Sequence, residues 1–204
     1  MDSKDVLGMI GLYTKNVKDV WFGVACEENR VYGTSFAKSR EEALSCLLAG
    51  LPFGVSFEAF PSSSPFAEIV LDSVRSTYDG KASLQDFQFA SEHLSEYNRK
   101  VLEVTSKIPV GYVASYGAVA KAAGGSARSV GNAMASNPFA PIVPCHRVVK
   151  SDFTLGGYGG GPKVKHEFLA REKRGHASKL DVPVDGKILR VYPVEMVLAT
   201  IKKK

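Results

Sequence analysis

The sequence predicts two units of different class: an α/β unit with a small antiparallel sheet and helices, followed by a mainly α unit. Three observations carry this. Aromatic and β-branched residues crowd 19–37 around a polar turn, which marks strands. Apolar residues recur at three- and four-residue steps after residue 90, which marks helices. Between the two, the composition changes. A chain of 204 residues is long enough for two small domains. The expected boundaries are 1–90, 91–175, and an extension, 176–204, made of a hairpin and a basic tail.

In order along the chain, "DVWFGVACEENRVYGTSFA" (19–37) reads as two strands around the turn "EEN". "SREEALSCLLAGL" (39–51) starts on a serine with two glutamates in the first turn, and Ala43, Leu44, Leu47 and Leu48 come next at helical spacing. "PSSSPFAEIVLDSVRSTYDGK" (61–81) is a loop and then a helix that ends near Asp79-Gly80. Residues 81–89 are a linker or a last strand. In 91–109, Leu94, Tyr97, Val101, Val104 and Ile108 form one helical stripe, and Pro109 stops it. "GAVAKAA" (117–123) and "SARSVGNAMASNP" (126–138) are two short helices joined by Gly124-Gly125, a helix-turn-helix pattern. Ser126 caps the second and Asn137-Pro138 ends it. "TLGGYGGGP" (154–162) is a flexible loop and "VKHEFLAREKR" (164–174) a closing helix. "VPVDGKILRVYPV" (182–194) is a hairpin turning at Asp185-Gly186.

The apolar runs are too short to span a bilayer, and "MDSKDVLGMI" has no signal-peptide pattern. Three scattered cysteines make no disulfide framework, so a reducing compartment is expected: cytoplasm, or the nucleus of a eukaryote. The net charge of +5 is unevenly placed. Residues 1–103 carry ten basic and fifteen acidic residues, whereas 104–151 carry Lys107, Lys121, Arg128, Arg147 and Lys150 with no carboxylate. Such a stretch calls for an anionic partner. Arg128 stands in the first turn of its helix, where the dipole disfavours a cation. Its neighbours Ser126, Ala127, Ser129 and Gly131 are small, so this face can approach DNA closely. Lys121 and Arg147 are expected to join that contact.

"IVPCHRVV" (142–149) carries the chemistry. A lone cysteine ordinarily packs as a small hydrophobe, which is the reading for Cys26 and Cys46. Cys145 differs because His146 and Arg147 stand directly after it, and nearby positive charge favours a thiolate. Adjacent Cys-His is not zinc spacing, and no second half-site exists. A cysteine hydrolase remains an alternative, although neighbours on an extended segment point in opposite directions. His146 would then need a turn or a water to reach Cys145.

"PCHRVV", preceded by "SYGAVAKAAGGSARSVGNAMASNP", closely resembles the O6-alkylguanine-DNA alkyltransferases, also called methylated-DNA–protein-cysteine methyltransferases. The likeness runs from about 93 to 173 and takes in "IPVGYVASYG", "GGYGGG" and "EFLARE". It implies an RNase H-like N-terminal unit and a catalytic helix-turn-helix unit. It implies that Cys145 accepts the alkyl group, His146 is its base, Glu172 orients His146, and Asn137 braces the turn into the site. Tyr116 matches a tyrosine that assists nucleotide rotation and protonates the guanine. Arg128 matches a finger that fills the gap left in the DNA. Pro144, Val148, Tyr158, Gly159 and Met134 belong to the base pocket. Gly159 replaces a serine of many relatives, so only its backbone N–H could serve the base. The implied activity is one irreversible transfer per molecule from O6-alkylguanine, with O4-alkylthymine an alternative substrate. A monomer is expected to approach the minor groove. No metal or cofactor is expected. The rivals are a non-catalytic lesion sensor and a cysteine hydrolase with a DNA-binding corner.

Overall fold

The structure, a computed structural model, describes residues 8–202. The chain divides into two compact units. One takes residues up to Arg75, Leu84–His93 and Pro138–Ala140; the other takes Ser76–Ser83, Leu94–Asn137 and everything from Pro141 onward. The boundary therefore differs from the sequence-based one in two ways. Ser76–Ser83, at the end of a long helix, belong to the second unit and the turn Pro138–Ala140 to the first, and the extension falls inside the second unit rather than standing apart.

In the first unit, β1 (Ile10–Val17), β2 (Val20–Glu27) and β3 (Arg30–Ala37) form an antiparallel meander. Lys18 and Asp19 take positive φ in the first turn, as a two-residue hairpin requires. Helix α1 (Arg40–Gly50) starts on Ser39, whose side chain accepts from Glu42 N–H, and buries Ala43 and Leu47. Helix α2 (Pro65–Tyr78) comes after the short strand β4 (Phe57–Ala59). The core joins Ile10, Leu12, Ala25, Tyr32, Leu47 and Ala90. The expected antiparallel sheet needs a correction. β4 pairs parallel to β1, and β5 (Gln88–Phe89) parallel to β3, so the sheet is mixed in the order β4-β1-β2-β3-β5. Strands of two or three residues are too short for a period-two signal.

The second unit starts with α3 (Glu96–Ser106), capped by Ser95 and burying Val101, Leu102, Val104 and Thr105. After β6 (Tyr112–Ser115) come α4 (Tyr116–Ala123) and α5 (Ala127–Ala135). Gly124 and Gly125 join them, both at positive φ. The Tyr97 hydroxyl holds this corner by donating to Gly124 O at 3.1 Å and bonding Ser129 Oγ at 2.9 Å. A Cβ on Gly125 would lie 2.5 Å from that hydroxyl. Ser126 and Ser129 complete a capping box at the start of α5.

The rest of the unit is less helical than expected. β7 (Val148–Val149) pairs parallel to β6, and the hairpin β8 (Leu180–Val184) and β9 (Lys187–Pro193) pairs antiparallel to β6 through β9. The result is a four-stranded sheet, β7-β6-β9-β8, in a unit read as mainly α. The hairpin turns at Asp185-Gly186, as the sequence predicts. In place of a plain basic tail, β9 runs into helix α7 (Val194–Lys202), which packs against α6 (Gly161–Arg171). Among the described residues, no helix is long and apolar enough to cross a membrane.

Candidate active site

Asn137 stands just past α5 and shapes the next segment. Its Nδ2 donates to Val143 O at 2.9 Å, and its side chain also bonds the Cys145 sulfur. Cys145 N–H donates to Val143 O, and Arg147 N–H to Pro144 O, each at 2.9 Å. Cys145–Arg147 is thus a single 3-10 turn and not an extended stretch. Three residues per turn send successive side chains in three directions. Cys145 faces a cavity, while His146 and Arg147 turn inward.

His146 and Glu172 are both fully buried, with Nε2 to Oε1 at 2.8 Å. Glu172 caps the C-terminus of α6. Arg147 embraces the same carboxylate: Nε donates to Oε2 at 2.9 Å and Nη2 to Oε1 at 2.9 Å, while Nη1 donates to Ile108 O at 2.7 Å. Arg147 was expected at a DNA surface, and the structure corrects this. It is 6% exposed and supplies the positive charge for a buried carboxylate that the neutral His146 ring only hydrogen-bonds. Burial pushes the Glu172 carboxyl up, but the His146 hydrogen bond and the charge and hydrogen bonds of Arg147 outweigh it and hold the pKa at about 2. The His146 ring stacks on Phe168 at 4.5 Å between centroids, and its Nδ1 has no protein hydrogen-bond partner. Burial lowers the His146 pKa against the pull of Glu172, so the ring rests neutral.

Sequence reasoning missed Lys165. It is fully buried, and its Nζ donates to Val148 O at 2.6 Å, Gly157 O at 3.1 Å and Tyr116 Oη at 3.5 Å. Burial pulls its pKa down to about 8, against the effect of Cys145. Burial also raises the Cys145 thiol above its ordinary value. The Asn137 hydrogen bond, the Lys165 charge and backbone N–H groups act the other way. The cation acting on the thiol is therefore Lys165, not the adjacent Arg147. A signal existed: Lys165, Phe168, Leu169 and Glu172 stand at i, i+3, i+4 and i+7, one helical face.

Cys145 is 6% exposed and lines an open cavity of about 630 Å³. One side is α5, through Ala127, Arg128, Gly131 and Met134. The other is the loop Gly156–Gly159 with Tyr158, and Tyr116 closes an end. The Tyr116 hydroxyl donates to Gly157 O at 3.3 Å. Burial, and secondarily Cys145, raise the pKa values of both Tyr116 and Tyr158, so both keep their protons. Two expected pocket residues, Pro144 and Val148, are buried and do not line the cavity; Val148 serves through its carbonyl. Ser126 and Ser129 are occupied in the α5 cap, and Lys121 is exposed on α4 outside the cavity. Among the described residues, no group of three or more His, Cys, Asp or Glu is placed to hold a metal ion.

The family described as 6-O-methylguanine DNA methyltransferase, DNA binding domain, matches residues 96–174. The methylated-DNA–protein-cysteine methyltransferase of Methanothermobacter thermautotrophicus is 43% identical over 125 residues, 58% of this chain and 69% of that protein. That of Thermococcus gammatolerans is 35% identical over 164 residues, 77% of this chain and 91% of that protein. This chain belongs to the methylated-DNA–protein-cysteine methyltransferase family. The crystal structure of Mycobacterium tuberculosis OGT in complex with DNA is similar to it, with a TM-score of 0.61 and 25% identity over 80% of this chain and 92% of that one. In this methyltransferase the family match contains Tyr116, Arg128, Asn137, Cys145, Lys165 and Glu172. It ends before the hairpin and α7.

Proposed function

We propose that this methyltransferase repairs DNA by taking the alkyl group of O6-alkylguanine onto its own Cys145, once per molecule. One observation carries the reading: a cysteine sulfur at an open cavity, backed by a buried His146–Glu172 pair. The lesion lies inside a duplex, so the nucleotide must rotate out to reach that sulfur. α4 and α5 serve as a helix-turn-helix on the minor groove, with the small-residue start of α5 against the backbone. Arg128, exposed at the cavity rim, fills the space left in the stack as wedge side chains do. The first unit takes the RNase H-like role of the family, and the protein acts as a monomer in a reducing compartment.

At rest, burial favours the thiol and the neutral imidazole over an ion pair. As the base settles, His146 Nδ1 takes the thiol proton, directly or through a water, and Glu172 stabilises the imidazolium. Lys165 and Asn137 stabilise the thiolate. The sulfur attacks the alkyl carbon, an S–C bond forms, and the bond from that carbon to O6 breaks. The Tyr116 hydroxyl passes a proton to the departing guanine ring, which leaves as an ordinary base, and the thiol proton held on His146 returns through solvent to restore Tyr116. The product thioether has no reverse route, so the protein is consumed.

Intact mass after incubation with a duplex containing O6-methylguanine tests this. The expected result is a gain of about one methylene, mapped to Cys145 and saturating at one per molecule, because a thiol hydrogen is exchanged for methyl. Turnover with no adduct supports a hydrolase instead, and binding without an adduct supports a lesion sensor.

A further inference from the structure

Residues 156–159, the first four of "GGYGGG" (156–161), form the loop wall of the cavity. Glycine prefers no single backbone conformation, so such a wall takes its position from its anchors. One anchor lies on the cavity side, where Gly157 O accepts from Lys165 Nζ and Tyr116 Oη. The other lies just upstream. Phe153 has φ +61°, a conformation that a bulky residue rarely adopts. Lys150 N–H donates to Thr154 O at 2.9 Å and Phe153 N–H to Lys150 O at 3.0 Å, closing a tight turn around it. The Phe153 ring meets Tyr192 of β9 edge-on, at 5.3 Å and 74°. Phe153 and Leu155 pack on a core of Val113, Val149, Leu169, Val194 and Val197, joined by Tyr192 and Leu198. Tyr192, Val194, Val197 and Leu198 all lie beyond residue 174, where the family match ends.

We propose that the C-terminal hairpin and α7 are a positioning element for the base pocket. Tyr192 and α7 hold Phe153 and Leu155 in place. Through this turn they set where the glycine wall stands relative to Cys145. The role rests on the alkyl-transfer reading and adds to it a part for residues 176–202. None of these residues touches the reacting atoms, so the extension should govern how tightly the base is captured, not how fast the captured base reacts.

The test is single-turnover alkylation of Cys145 by O6-methylguanine free base over a concentration series, in the full-length protein. In Tyr192→Ala the concentration giving half the limiting rate should rise about tenfold, because a displaced wall loses the geometry that binding requires. The limiting rate and its pH profile should stay as in wild type. Tyr192→Phe keeps the ring and should restore capture. Leu198→Ala loosens the same core from α7 and should move the same constant in the same direction, which decides the matter if Tyr192→Ala does not fold. Unchanged half-saturation in the alanine variants overturns the proposal. So does a drop in limiting rate alone, or a Tyr192→Phe variant as impaired as Tyr192→Ala. If wild type forms no Cys145 adduct with duplex or free base, the alkyl-transfer reading fails and this role with it. If wild type reacts and the variants match it, only this role fails.

Discussion

Burial and one cation pull the Cys145 thiol in opposite directions, and the balance makes Lys165 the residue to test. An opposite charge close to a thiolate lowers its pKa. Lys165→Met should therefore move the rising limb of the pH–rate profile to higher pH by about one unit or more, measured as adduct formation with free alkylguanine. An unmoved limb would leave Lys165 only its hydrogen bonds to Val148, Gly157 and Tyr116. Glu172 gives a second prediction. Its pKa of about 2 lies below the ordinary value of 4.5, so its contribution to stability is present above about pH 4.5 and is lost as pH falls towards 2. Glu172→Gln should flatten that part of the acid-denaturation curve. Near neutral pH it should cost about 3–5 kcal/mol, because Arg147 is left buried without its carboxylate, as read by chemical denaturation. Cys145 and His146 were legible in the sequence because their chemistry is contiguous. Lys165 and the true role of Arg147 were not. Which way a cationic side chain turns depends on a carboxylate or carbonyl that folding brings from 17 to 25 residues away.

Among the elements, α5 carries the sharpest local logic. Its capping box satisfies N–H groups at the helix start, beside a cation that the dipole disfavours there. Ser126→Ala should cost about 1 kcal/mol of stability, measured by thermal or chemical melting. Arg128→Ala touches neither the cap nor the Cys145 relay. It should slow repair of a duplex substrate more than reaction with free alkylguanine, and equal losses on both substrates would remove the wedge role. α1 and α5 were legible because a serine marks the start of each, and α3 because an apolar stripe runs along it. β4 and β7 carry no such mark, since they are short strands added at sheet edges by tertiary pairing, whereas β5 falls in 81–89, where a last strand was one of the two readings. α7 was masked by the lysines at its end, which suggest a solvated segment and outweigh the apolar signal of Val194, Val197 and Leu198.

Across the whole molecule, charge is divided along the chain, and the structure sharpens which charges are free. Of the five cations in the acid-free stretch 104–151, Arg147 is spent on Glu172. Lys107, Lys121, Arg128 and Lys150 remain exposed. Each of these that meets a phosphate releases condensed counterions, and log K falls with log salt by about 0.9 per phosphate neutralised. Two to four such contacts give an expected slope of about −2 to −4 for duplex binding, read by fluorescence anisotropy over a salt series with Cys145→Ala to prevent reaction. Alkylation by the free base involves no phosphate, and its rate should stay nearly flat over the same salt range. A flat duplex-binding curve would separate the acid-free stretch from DNA contact, while leaving the chemistry at Cys145 untouched.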